Sequence, residues 1–252
     1  EPLLEQARSL AEQAGQVDVV ASVYNRLGGL YFQRGLLSQA GEFVRKSLAL
    51  REHIGDVVAV ARIYNNLGLL DWRLGQWSSA LENFNRAYKL QRDLGDAEAL
   101  IELEGNLGLL QIERADFASA ETHLQAALDS ARQIGHSYQM GQAHLHLTLL
   151  AVTRGEWKRA LESGAQAHEL FTNIGVKENM LGLHAILGLA WLNLGDVARA
   201  DESARAAQAA YEELGGESSG RVDDYARLVY LYAELARARG SSSEAVQQYR
   251  RG

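Results

Sequence analysis

A shift of forty residues lays this chain onto itself, and that period restricts the fold more than any other feature. Gly15, Gly55, Gly95, Gly135, Gly175 and Gly215 share one phase. Leu27, Leu67, Leu107, Leu147 and Leu187 share a second, and Ala40, Ala80, Ala120, Ala160 and Ala200 a third. Gly35, Gly75, Gly155 and Gly195 mark a fourth, at which Ala115 is the exception. The period runs without a gap to Gly215-Gly216-Glu217-Ser218-Ser219-Gly220. There a five-residue insertion moves the next marks to Gly240 and Ala245.

Each unit holds two helical patterns. Val60, Ile63, Tyr64, Leu67, Leu70 and Leu74 fall on one helical face, and Trp77, Ala80, Leu81, Phe84, Ala87, Tyr88 and Leu94 on a second. Gly75 and its equivalents stand between the two, where a left-handed residue ends the first helix. Asp116 and Asp196 follow as N-caps of second helices, and Asp56 and Asp96 as N-caps of first helices. The alanine phase allows two helix axes to approach closely. No segment alternates with the period of a strand. One helix pair cannot bury its apolar face alone, so stacked neighbours must supply the core. The expectation is an all-α protein, an α-solenoid of helix pairs.

Composition narrows the function classes. The chain of 252 residues has no cysteine, which excludes disulfides, a thiol nucleophile and zinc sites with Cys ligands. Its formal net charge of −7 gives no electrostatic footing for nucleic acid. The single proline, Pro2, leaves long helices uninterrupted. The strongly apolar, charge-free run from Asn179 to Gly195 is short for a membrane span and contains His184 and Asn193, so it reads as a buried helix. No cationic segment followed by an apolar one opens the chain. The expectation is a soluble, cytoplasmic protein without nucleic-acid or membrane partners.

At these marks the chain resembles the tetratricopeptide repeat (TPR) family. Tyr64-Asn65-Asn66-Leu67-Gly68-Leu69-Leu70 matches the family's helix A, and Leu74-Gly75-Gln76-Trp77-Ser78-Ser79-Ala80-Leu81 its turn into helix B. Phe84 and Ala87 match the next two signature places. The period of forty rather than thirty-four, with no proline closing helix B, is similar to the longer-helix variant of kinesin light chains, Pins-type spindle-orientation scaffolds and sensor arms of bacterial regulatory ATPases. The resemblance implies one superhelix of antiparallel helix pairs along residues 1–252. It comprises a partial repeat (1–15), full repeats at 16–55, 56–95, 96–135, 136–175 and 176–215, and a truncated repeat at 221–252. Neither end reads as a polar cap, so the chain is expected to be a fragment of a larger protein.

The resemblance also implies that helix A faces a concave groove. Its groove positions map onto Asn25, Arg26, Arg62, Asn65, Asn66 and Asn106, then Leu69, Leu109, Leu149 and Leu189, then Trp72, Arg73 and Ile112. Asparagine inside a helix costs about 0.5–0.7 kcal/mol relative to alanine, so its recurrence invites an explanation. A carboxamide can pair with both N–H and C=O of an extended peptide. Alternatively, these amides cross-link adjacent helices. The arginines would bind acidic side chains or a C-terminal carboxylate, or form an ordinary solvated face. Glu102 and Glu113 share that face, so it is mixed in charge. The carboxylate clamp of chaperone-binding relatives is not matched, because its places hold Asn25, Gly29, Asn66, Glu102 and Asn106 and no lysine. In the fifth repeat Gly182, Ala185, Ile186, Leu189 and Leu192 are all apolar. They read as an exposed binding or self-association surface, or as residues buried by the following repeat.

Catalytic signals are absent. His144 and His146 are two apart and point in different directions on a helix, so they do not chelate together. His144 and His184 stand at the phase of Tyr24 and Tyr64, a core position, and His146 at the phase of Asn66 and Asn106, where it would contact a ligand. No phosphate-binding glycine loop and no G-x-S-x-G elbow occurs. The expectation is a non-catalytic scaffold with no metal and no cofactor, holding a protein or peptide in the groove. Alternatives are a ligand-sensing arm of a larger signalling ATPase or transcription regulator, and self-association through the apolar C-terminal repeats.

Overall fold

The computed structural model describes residues 2–216, 222–241 and 247. Residues 217–220 of the insertion lie outside the described residues, as do Ala245 and most of the truncated helix B expected around it. Twelve α-helices and no strand are found among the described residues. They divide into two compact units, residues 1–114 and 115–252.

The first unit holds α1 (Pro2–Gln13), α2 (Val17–Gln33), α3 (Leu37–His53), α4 (Val57–Arg73), α5 (Trp77–Leu94) and α6 (Ala97–Glu113). Helices α2 and α3 pack as one pair and α4 and α5 as the next, with α3 against α4 and α5 against α6. The turn of each pair follows from its glycine. Gly75 takes φ 70°, its N–H bonds to the Trp72 carbonyl at 2.9 Å, and the Gln76 N–H reaches Asp71 O at 2.8 Å. That is a Schellman closure, and a residue without Cβ adopts it without strain. Asp56 and Asp96 accept from the N–H groups of Ala59 and Ala99 at 3.0 and 3.1 Å, so both expected first-helix caps form.

Packing follows the repeat phases. Val60, Ile63, Leu67 and Leu70 are buried, as are Ala80, Phe84 and Ala87. Leu74, Trp77 and Leu94 depart from the expected stripe and are exposed, because they stand at helix ends where the chain turns outward. A Cβ on Gly68 would lie 2.5 Å from the Phe84 ring, so helix A yields the space that the ring fills. Arg51 ties three segments together. It bonds the Asp56 carboxylate at 2.7 Å, the Ser22 hydroxyl at 2.5 Å and the Asp18 carbonyl at 3.0 Å.

The second unit holds α7 (Phe117–Gln133), α8 (Ser137–Thr153), α9 (Trp157–Asn173), α10 (Met180–Asn193), α11 (Val197–Glu213) and α12 (Val222–Ala238). Asp116 and Asp196 cap α7 and α11 as expected, accepting from Ser119 and Arg199 N–H. His136 caps α8 through Nδ1 at 3.3 Å from the Gln139 nitrogen, an unforeseen use of a histidine. One crossing reverses the usual assignment of small and large residues. Thr148 occupies the phase of Gly28 and Gly68 and is fully buried, and Gly164 occupies the phase of Val44 and Phe84. A Cβ on Gly164 would stand 2.4 Å from Leu187 and 3.4 Å from Thr148. Glu121 of α7 meets Arg154 at 2.6 Å and also pairs with Arg159, and these two contacts draw its carboxyl below the usual range, Arg159 first.

Candidate functional site

In the first unit α2, α4 and α6 are the A helices, and the expected carboxamides lie on them. Asn25 and Asn65 are half-buried, Asn66 is exposed and Asn106 is half-buried. They meet in pairs: Asn106 Nδ2 donates to Asn65 Oδ1 at 3.1 Å, and Asn66 Nδ2 to Asn25 Oδ1 at 3.5 Å. Asn65 Nδ2 in turn donates to Glu102 at 3.0 Å. The amides therefore cross-link neighbouring A helices while their outer edges stay at the surface. A separation of 3.5 Å is at the outer limit of a hydrogen bond, so the Asn25–Asn66 contact is the weak one.

Beside that weak pair a cleft of about 180 Å³ opens between α2 and α4. It is lined by Asn25, Gly28, Gly29, Phe32, Ala40, Val44, Asn66, Leu69 and Leu70. Two carboxamides with an apolar floor make a site that can hold a backbone amide and an adjoining apolar group together. Phe32 and Val44 did not stand out in the sequence as contacts, and Gly29 stood out only as an unmatched clamp place. The signal that could have found them is the absence of a side chain at Gly29.

Other expected residues divide. Arg26 and Arg62 are exposed, and among the described residues neither forms an ion pair. Arg73 is exposed, and Trp72 and Leu69 are half-buried against the cluster of Ala80, Phe84, Leu103 and Leu107. Leu109 and Leu149 are half-buried, and Ile112 is buried. His146 is half-buried, its Nδ1 is enclosed and finds no hydrogen-bond partner among the described residues, and burial pushes its pKa down to about 4. It is therefore neutral at pH 7 and offers a ligand no charge.

Of the two readings of the fifth repeat's apolar face, the packing fits burial by the following helices. Gly182, Ala185 and Ile186 are buried, and Leu189 and Leu192 are half-buried against a cluster that includes Ala204, Leu228 and Leu231. Helix α12 covers this face: a Cβ on Gly188 would meet Leu231 at 2.3 Å, and one on Gly182 would meet Asp224 at 2.6 Å. Leu189 is thus part of the packing between α10 and α12. The physical reason is that α10 is apolar on all sides, and α8, α9, α11 and α12 all pack on it.

Residues 19–93 match the tetratricopeptide repeat family. That segment carries tetratricopeptide repeats, and the repeat phases continue beyond it. Solved structures share its fold. BtubC (BKLC) from P. vanneervenii is 20% identical, over 84% of this chain and 88% of that one, with a TM-score of 0.69. A Rap protein complexed with competence and sporulation factor is 15% identical over 92% and 74% of the two chains, with a TM-score of 0.66. A STAND signal-transduction ATPase with a tetratricopeptide repeat sensor, from Pyrococcus horikoshii, is 17% identical with a TM-score of 0.72. The match spans 98% of this chain and 38% of the STAND chain. No curated protein matches the sequence. Among the described residues no three of His, Asp and Glu are placed to hold a metal, and no helix is long and apolar enough to cross a membrane.

Proposed function

We propose that this protein is a non-catalytic scaffold whose A-helix face on α2, α4 and α6 binds an extended segment of a protein partner. The cleft between α2 and α4 carries this reading, because it sets exposed carboxamide edges beside an apolar floor. Asn25, Asn66 and Asn106 would pair with the segment's backbone, Arg26, Arg62 and Arg73 with its carboxylates, and Leu69, Trp72 and Leu109 would flank its apolar groups. The Rap protein, of the same fold, is complexed with a factor, and this supports a binding role. As a second reading, the same face serves as a sensor within a larger signalling protein, as a tetratricopeptide repeat array does in the STAND ATPase.

Site-specific photo-cross-linking tests the proposal. A benzophenone side chain in place of Arg62 on α4 should capture a partner from lysate, and one in place of the exposed Glu82 on α5 should not. Equal labelling from both positions would count against the A-helix face.

A further inference from the structure

The face proposed above contains one break in its own repeat. Leu69, Leu109, Leu149 and Leu189 recur at forty-residue spacing, and the same phase in the first full repeat holds Gly29. Leu69 packs against the cluster of Ala80, Phe84 and Leu103, and Leu189 packs against the cluster around Ala204 and Leu231. Leu69 and Leu189 thus each fill space beside a packed cluster, and Leu109 and Leu149 are half-buried. At Gly29 that filling is missing: the residue is exposed, and a Cβ built on it meets nothing within 4 Å. The cleft lies here, with Gly29, Val44, Leu69 and Leu70 among its walls. It is the space that the repeat elsewhere gives to its own leucine.

Size and polarity specify what completes it. At about 180 Å³ the cleft exceeds the roughly 150 Å³ that accepts a benzene molecule, so one branched aliphatic side chain fits. Asn25 and Asn66 flank it and can exchange their 3.5 Å contact for the N–H and C=O of an incoming backbone. Arg62 adds a charge requirement. It lies one helical turn before Asn66 on the same face of α4, is exposed, and among the described residues pairs with no carboxylate. Residues two apart in an extended segment point to the same side and are about 7 Å apart, which brings a carboxylate there within reach of the guanidinium.

We propose that the cleft at Gly29 takes one leucine-sized aliphatic side chain from an extended partner segment bearing an aspartate or glutamate two residues away, set against Arg62. This rests on the peptide-binding reading above and names the chemistry that the reading leaves open. The leucine supplies from outside the contact that the first full repeat lacks, and Gly29 is the specificity-determining residue.

The test selects a phage-displayed library of random dodecapeptides on the full chain, then titrates the enriched peptides, labelled with fluorescein, by anisotropy. Enriched peptides should share a leucine or isoleucine with an acidic residue two positions away. Gly29→Leu should weaken them at least tenfold with a melting temperature no lower than wild type. Arg62→Glu should weaken them about tenfold, with the difference shrinking in high salt. Replacing the peptide's leucine by alanine should cost affinity for wild type and none for Gly29→Leu. Should Gly29→Leu melt lower, Gly29→Val provides the same comparison. Enriched peptides that bind Gly29→Leu as tightly as wild type would overturn the cleft and leave the binding face standing. No enrichment over a protein-free selection would overturn both.

Discussion

Asn106 donates from Nδ2 to Oδ1 of Asn65 across 3.1 Å, joining α6 to α4 through residues forty-one apart in sequence. The bond accounts for a side chain of poor helix propensity at a regular position. Its net worth is about 0.5–1.5 kcal/mol, and replacement of one asparagine by alanine recovers about 0.5–0.7 kcal/mol of propensity. Asn65→Ala and Asn106→Ala should therefore each change stability by less than about 1 kcal/mol. The double variant should be more stable than the sum of the singles implies, by about 0.5–1 kcal/mol. Urea denaturation of the four proteins gives the cycle. Strict additivity would mean that the bond contributes nothing.

Two glycines on A helices should respond with opposite signs. A Cβ at Gly68 would stand 2.5 Å from the Phe84 ring, so Gly68→Ala overpacks the crossing and should cost about 1–3 kcal/mol. At Gly29 a Cβ meets nothing within 4 Å, so Gly29→Ala gains helix propensity and should stabilise by up to about 1 kcal/mol. Thermal melts of both variants decide the matter.

Ala115 holds φ 58°, where the other units have a glycine in the same left-handed place. Alanine is strained there by about 1–2 kcal/mol, partly offset by the greater chain entropy that glycine loses on folding. Ala115→Gly should stabilise by about 0.5–1 kcal/mol, read as a higher urea midpoint. A decrease would show that the strain is relieved by other means.

Leu189→Asp tests the packing role of the apolar helix. Placing a carboxylate within the α10–α12 cluster should cost about 2–3 kcal/mol, seen as a lower melting temperature. Peptides bound by the α2–α4 cleft should keep their affinity for the folded protein.

Acid should weaken the second unit through its histidines. Burial holds His146 at about 4, and burial together with His168, whose ring centroid lies 5.3 Å away, holds His184 at about 4. An unfolded histidine titrates near 6.5, so between about pH 6.5 and 4 the unfolded chain binds more protons than the folded one. Stability therefore falls as pH drops through that window, by at most about 1.4 kcal/mol per pH unit for each histidine. His146→Leu with His184→Phe should lose less stability than wild type between pH 7.5 and 5.0 in paired urea melts. An identical loss would place the acid sensitivity elsewhere.

The repeat phases made most of the fold legible, and the reasons are local. The spacing of Val60, Ile63, Leu67 and Leu70 specifies a helical face, a glycine specifies each left-handed turn, and Asp56, Asp96, Asp116 and Asp196 specify helix starts. Each acts within one or two helical turns, so the order of residues is enough. The A-helix positions of Asn25, Asn65, Asn66 and Asn106 were legible for the same reason, through their phase.

Partners distant in sequence were decided only by the tertiary structure. Which side chains the carboxamides of Asn65 and Asn66 meet depended on how closely the A helices approach. The apolar side of α10 read equally as a surface or as a core, until α12 closed on it from beyond the insertion. The opening beside Gly29 arises because α2, α3 and α4 together leave the place of one side chain unfilled. Periodicity along one helix determines which residues share a face. Whether that face is covered depends on close packing between helices separated in the chain, and this three-dimensional packing decided where the cleft lies.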